Sequence, residues 1–127
     1  MDTAQYIASR AEDIVRSRGA LDAVYNGPDG IRGTADDFDA ILFSANSGAG
    51  IPAKAGYPSI TVPGGFVPSA APPAPPTNPF PSGVTFSGRA FSEPRLIGLA
   101  YAFEQATKHR LPPASTPPLP TDRVRRP

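Results

Sequence analysis

Apolar side chains recur every three or four positions in two stretches of this chain and cluster in three shorter ones. Between residues 3 and 18, Ile7, Ala11, Ile14 and Val15 share a stripe, while Arg10, Glu12, Asp13, Arg16 and Arg18 lie largely off it. That spacing predicts an amphipathic helix whose apolar face must pack against something. Asp2 or Thr3 can cap its first amides, and Gly19, which readily accepts a left-handed C-cap, is expected to stop or jog it. A further short turn over 20–25 follows. Residues 38–43 form an apolar run, nearly continuous from Ala40 to Phe43, which suits a strand buried on both faces. Residues 51–56 predict one or two helical turns with Pro52 at the first position. Residues 59–62 read as a strand stopped by Pro63, Gly64 and Gly65, and 83–88 as its antiparallel partner. In the last periodic stretch Leu96, Leu99, Ala100 and Phe103 repeat at helical spacing, with Ser92 as N-cap and Glu93 and Pro94 in the first turn. Ile97 and Tyr101 widen this apolar face, so cover on more than one side is expected. Glu104 and Lys108 are placed to pair, and Lys108, His109 and Arg110 suit the negative end of the helix dipole.

Turns and prolines divide these elements. Residues 26–37, NGPDGIRGTADD, are turn-rich and, with Asp39, form the most acidic stretch. Residues 67–82 are proline-rich and favour a solvated polyproline loop. Residues 112–127 read as a disordered basic tail.

Composition narrows the function classes. Eighteen prolines and twelve glycines among 127 residues set part of the chain outside any core, while a 39% apolar share still supports one small domain. The net charge of +1 gives no strong field for nucleic acid or an anionic membrane. The absence of cysteine excludes disulfides, thiol nucleophiles and thiolate metal sites, and the single histidine cannot build a multi-histidine centre. No apolar run approaches the ~20 residues that span a bilayer, and the first residues do not read as a signal peptide. The expected compartment is the cytoplasm.

Candidate chemistry is sparse. Asp29, Asp36, Asp37 and Asp39 are the one metal candidate, but their spacing departs from an EF-type calcium loop, no Glu closes it, and Arg32 intervenes; a solvated turn is the expectation. Lys54, with Ser44, Ser47 and Ser59 as possible neighbours, could serve as a base beside a nucleophile, yet an ordinary exposed lysine fits better. His109 reads as a helix-terminal cation. The glycines lack the phosphate-loop pattern, and Arg123, Arg125 and Arg126 lack interleaved aromatics, so no cofactor, metal or nucleic acid is expected.

Three segments taken in order carry a resemblance: FDAILF at 38–43, IPAKAGYPSITVPGGF at 51–66 and GVTFSGRAFSEPRLIGLAYAFEQATKHR at 83–110. Together they resemble the C-terminal end of the amidase signature enzymes, serine hydrolases that include bacterial amidases and the A subunit of glutamyl-tRNA amidotransferase. The resemblance spans most of residues 3–110. It implies an α/β fold, here a partial mixed sheet of short strands with flanking helices, and hydrolysis of carboxamide C–N bonds. It also implies a Ser–cis-Ser–Lys triad with a Gly/Ser-rich loop holding the oxyanion. This sequence departs from the pattern in lacking both the Gly-Gly-Ser-Ser-Gly-Gly type segment and its upstream lysine. Residues 47–50 do not substitute for that segment, and Lys54 does not stand in the catalytic position. The acidic stretch at 27–37 and the proline tract at 67–82 are further departures, both at loops.

The expectation is therefore a C-terminal amidase segment over residues 1–111 followed by the tail, without catalytic residues, inactive alone and marginally stable. An N-terminal amidase segment or a second copy is the expected partner. Ser44 and Asn46, at the C-terminal end of the first strand, are the candidate substrate-pocket residues, by analogy with ligand placement in α/β sheets. The alternative is a small non-catalytic interaction module using the proline tract or the basic tail.

Overall fold

The computed structural model describes residues 3–67 and 80–111. The elements run α1 (Thr3–Tyr25), β1 (Ile41–Ser44), α2 (Gly50–Ala55), β2 (Ser59–Val67), β3 (Phe80–Ser87) and α3 (Glu93–Thr107). The proline-rich residues 68–79 and the tail 112–127 lie outside the described residues, as do the expectations placed on them.

The α/β class holds, and the three strands among the described residues are antiparallel rather than mixed, in the order β1-β3-β2. The predicted pairing of the second and third strands is present, with Ser59 opposite Ser87 and Val62 opposite Val84. Both strands extend further than the sequence suggests. Pro63 and Gly64 do not end β2, because a β-bulge between Pro63 and Gly65 absorbs them and pairing resumes as far as Val67 opposite Phe80. Gly65 sits at φ 114, a conformation a side chain resists, which is why a glycine stands there. Pro63 is tolerated because β2 is an edge strand. β1 is an edge strand too, not one buried on both faces: it pairs only with β3, and Leu42 is 57% exposed.

Alternation along β3 separates two apolar clusters. Phe86 joins Val62, Leu96 and Ala100 beneath α3, with Ile60, Val84, Leu99 and Phe103 at the margin. Phe86 and Phe103 meet edge to face at 5.8 Å. Thr85 and Ser87 are also buried, and Ser87 accepts a 3.4 Å hydrogen bond from the Tyr25 hydroxyl. Beside it Leu21, Tyr25 and Ala55 form the second cluster, with Ile41 and Tyr57. The sheet thus lies between α3 and the C-terminal end of α1 with α2.

The helices also correct the sequence reading. α1 runs unbroken through Gly19 for 23 residues. A mid-helix glycine costs about 1 kcal/mol relative to alanine. Burial of Leu21 and Tyr25 just beyond it supplies more, since each large apolar side chain withdrawn from water contributes roughly 1.5–3 kcal/mol. The N-terminal turns are uncovered: Tyr6, Ile7 and Val15 are exposed. On α3, Leu96 and Ala100 are buried as expected, but Ile97 and Tyr101 face outward. Ser92 does not cap α3 with its side chain; its Oγ donates to the Arg89 carbonyl instead. Lys108 ends the helix in a left-handed conformation and joins Glu104 through its backbone N–H at 2.8 Å, rather than through the expected ion pair.

Candidate functional site

The loop that follows β1 is held by backbone geometry. Ala45 adopts φ 48, its N–H donates to the Gly83 carbonyl at 2.7 Å, and its carbonyl accepts from the Thr85 hydroxyl. Thr85 is in turn 2.7 Å from the Thr61 hydroxyl, so a pair of threonines on β2 and β3 pins the start of the loop. Ser47 donates from both its N–H and its Oγ to the Ser44 carbonyl, and Ala49 N–H donates to the Asn46 carbonyl. Gly48 lies so close to the Phe43 ring that no Cβ would fit between them. The sequence SANSG therefore turns tightly because a threonine, an aromatic ring and a glycine leave it no other course.

Ser44 lines a shallow groove of about 360 Å³ with Leu42, Gly64, Phe66 and Val84. Asn46 is exposed in the turn and does not line it. The groove is largely apolar, and among the described residues no base lines it beside the Ser44 and Ser82 hydroxyls, so those residues can bind or position a group but form no nucleophile–base pair. Lys54 lines a different, open groove of about 550 Å³ between α1 and α2, with Tyr6, Arg10, Asp13 and Ile14. The structure does not bring Lys54 and Ser44 to one site. His109 is placed with its ring edge against Phe103, at 6.3 Å, and beside Gly65.

The acidic stretch turns its carboxylates on its own backbone. Asp36 accepts from the Thr34 hydroxyl and the Asp29 N–H, Asp29 from the Ile31 N–H, and Asp37 from the Gly33 N–H. The Thr34 hydroxyl, then the Asp29 amide, holds the Asp36 carboxyl below its usual range. Asp39 leaves the loop to meet Arg95 on α3, whose hydrogen bond lowers the Asp39 pKa. Among the described residues no group of three or more His, Asp or Glu side chains is arranged to hold a metal ion.

The most connected charged group among the described residues is one to which the sequence alone assigns no role, although it stands in the 83–110 block. Arg89, in the turn before α3, donates to Asn26 Oδ1 at 2.7 Å and lies 3.6 Å from Asp22 and 3.7 Å from Asp37. Its guanidinium sits 5.2 Å from the centre of the Tyr25 ring. Tyr57 donates to Asp22 at 2.7 Å, completing a network that joins α1, the acidic loop, the α2–β2 turn and the β3–α3 turn. Burial raises the pKa of Tyr25 most strongly, against the opposing pull of Ser87 and Arg89. Burial and the hydrogen bond to Asp22 raise that of Tyr57. No local pattern announces this node, because its members are far apart in sequence, Asn26 and Arg89 by 63 residues.

No family model matches the chain. Its relatives nevertheless agree. It is 41% identical over 75 residues to a protein of Arabidopsis thaliana described as a probable amidase, a match covering 59% of this chain and 13% of that protein. It is 39% identical over 64 residues to the A chain of the glutamyl-tRNA(Gln) amidotransferase of Desulforudis audaxviator, covering 50% of this chain and 11% of the relative. Among solved structures, the native peptide amidase from Stenotrophomonas maltophilia superposes with a TM-score of 0.60 at 33% identity, over 88% of this chain and 22% of the enzyme. A structure described as PAM12A gives 0.62 at 30% identity, over 89% and 23%. In sequence and in fold, then, this chain resembles a segment of the amidase signature enzymes. It spans about an eighth of the curated relatives and under a quarter of the solved ones.

Proposed function

We propose that this chain is the C-terminal scaffold of an amidase signature hydrolase: it supplies sheet, covering helix and pocket wall, while the groups that cleave the carboxamide C–N bond stand on another segment. The observation that carries this reading is the pairing of a fold shared over nearly nine tenths of this chain with less than a quarter of a peptide amidase. The apolar residues of α1 and α3 that stand exposed and the two sheet edges that no described strand pairs accord with it, since such surfaces are ordinarily closed by neighbouring structure.

In this reading Ser44 and the groove beside it form part of a pocket wall, with Thr85 fixing the loop, and Asn46 reaches the substrate only once a neighbouring segment narrows the site. The carbonyl chemistry would need a Ser–cis-Ser–Lys triad on the complementing segment. A cytoplasmic setting belongs to the same proposal and accords with the cysteine-free sequence.

The test is direct. The purified 127-residue chain, incubated with simple carboxamides and an amidated peptide, is expected to release no ammonia above the buffer background. Addition of a separately expressed N-terminal amidase segment is expected to produce a stable complex. Ammonia release by this chain alone would overturn the proposal.

A further inference from the structure

The groove beside Ser44 continues the sheet face that α3 covers. Strand alternation puts Leu42 and Ser44 of β1, and Ser82 and Val84 of β3, on the side that carries Phe86, because Leu42 stands opposite Phe86 and Ser44 opposite Val84. Val84 both packs at the margin of the α3 cluster and lines the groove. Phe66 and Val67, past the bulge in β2, line it from the other strand. None of the described residues that line it is charged. His109, whose ring stands beside Gly65, is set against Phe103 and does not line it. Among the described residues, moreover, neither the Ser44 nor the Ser82 hydroxyl has a hydrogen-bond partner.

An apolar floor with two unpartnered hydroxyls and no charge fits a narrow class of ligand. A carboxylate or ammonium entering it would give up hydration and meet no counter-charge. A carboxamide is neutral and carries both an acceptor and donors, and a serine hydroxyl can donate to the one or accept from the other. Ser44 and Ser82 are diagonal neighbours across the β1–β3 pair, roughly 7–8 Å apart at the backbone, a spacing that one amide group can bridge. At about 360 Å³ the groove is near the lower end for small-ligand sites, which limits the rest of the ligand to one aromatic ring or a short branched chain. We propose that this groove takes uncharged carboxamides bearing a compact apolar arm, the amide held between Ser44 and Ser82 and the arm laid against Leu42, Phe66, Val67 and Val84. The inference rests on the pocket-wall reading above and gives that wall a substrate class.

The test is a heteronuclear NMR titration of the full chain with a panel of small amides. Phenylacetamide is expected to move the backbone signals of Ser44, Ser82 and Val84 and to saturate with a Kd of about 1–10 mM, ordinary for so small a ligand on an open wall. Acetamide, which lacks the arm, phenylacetate, which lacks the amide, and succinamate, whose arm is charged, are each expected to bind at least about tenfold more weakly. Ser44→Ala/Ser82→Ala is expected to weaken phenylacetamide roughly tenfold. Leu42→Lys, at an exposed edge position, is expected to reverse the preference in favour of succinamate, with the remaining signals confirming the fold. No saturable shift at these residues up to about 50 mM phenylacetamide would overturn the proposal. So would equal binding of the charged amide, or an affinity indifferent to the serine variant. Binding, not ammonia, is measured, so a failure here leaves the scaffold reading standing, whereas ammonia release by this chain alone removes that reading whatever the groove binds.

Discussion

Removing Arg89 should reach further than removing any other charged side chain described in the fold, because its guanidinium ties its own turn to the end of α1 and to the acidic loop, and through Asp22 to Tyr57. Its side chain is only 17% exposed, and its loss strands Asp37, one of whose carboxylate oxygens is already buried without a partner. Arg89→Ala is expected to lower unfolding stability by about 2–4 kcal/mol, read from the urea midpoint. Arg95→Ala breaks an ion pair that is 60% and 59% exposed at its two ends, where solvent screens it, and should leave the urea midpoint unchanged within error. Tyr25 and Tyr57 make an alkaline prediction. Folding raises both pKa values above 10.0, so the unfolded chain gives up these protons first. Their contribution is complete below that value and is lost as pH rises through the raised pKa values; Tyr25→Phe should flatten the decline in a urea titration repeated across that range. Asp36 and Asp39 act in the opposite direction: their lowered pKa values favour the folded chain above 3.8 and cease to do so as pH falls below it.

Among the elements, two glycines give predictions of opposite sign. Gly19 is helical, and a Cβ added there would meet nothing within 4 Å, so Gly19→Ala should stabilise the chain by about 0.5–1 kcal/mol, seen as a higher melting temperature. Gly65→Ala meets the His109 ring only at ordinary contact distance, yet φ 114 should make it cost about 1–3 kcal/mol. These positions also mark how far the fold is legible in the sequence. Helical periodicity locates α1 and α3, and turn residues locate α2 and the β2–β3 pairing, because those signals are local. Gly19 misleads because a helix interior tolerates one glycine when burial follows it. Pro63 and Gly64 mislead because an edge strand can absorb both in a bulge. The exposure of β1 is hidden because an apolar run does not disclose whether a strand lies at the centre or the edge of a sheet. Of the candidate site, the sequence pattern brings Ser44 to the end of a strand, where a groove lies, while the Thr61–Thr85 pair that fixes its loop, and the Arg89 node, depend on residues brought together only by the fold.

For the molecule as a whole, the exposed apolar side chains decide its behaviour. Phe91 is 91% exposed at φ 63, and Ile97 and Tyr101 stand outward on the following helix. A folded sample should therefore enhance the fluorescence of an apolar dye. The double variant Ile97→Lys/Tyr101→Lys should reduce that signal while moving stability by no more than about 0.5 kcal/mol per site, as expected away from a core. The acidic loop, by contrast, is held largely by its own contacts. The Phe38 N–H donates to the Tyr25 carbonyl at 2.8 Å and closes the neck of the acidic loop, Arg89 and Arg95 grip its base, and the space around Gly30 and Gly33 near its tip is open, although both hold positive φ and should stay glycine. A loop closed at the neck and open at the crown is a natural attachment point: a fluorophore or affinity handle grafted there would ride on the molecule without disturbing the sheet.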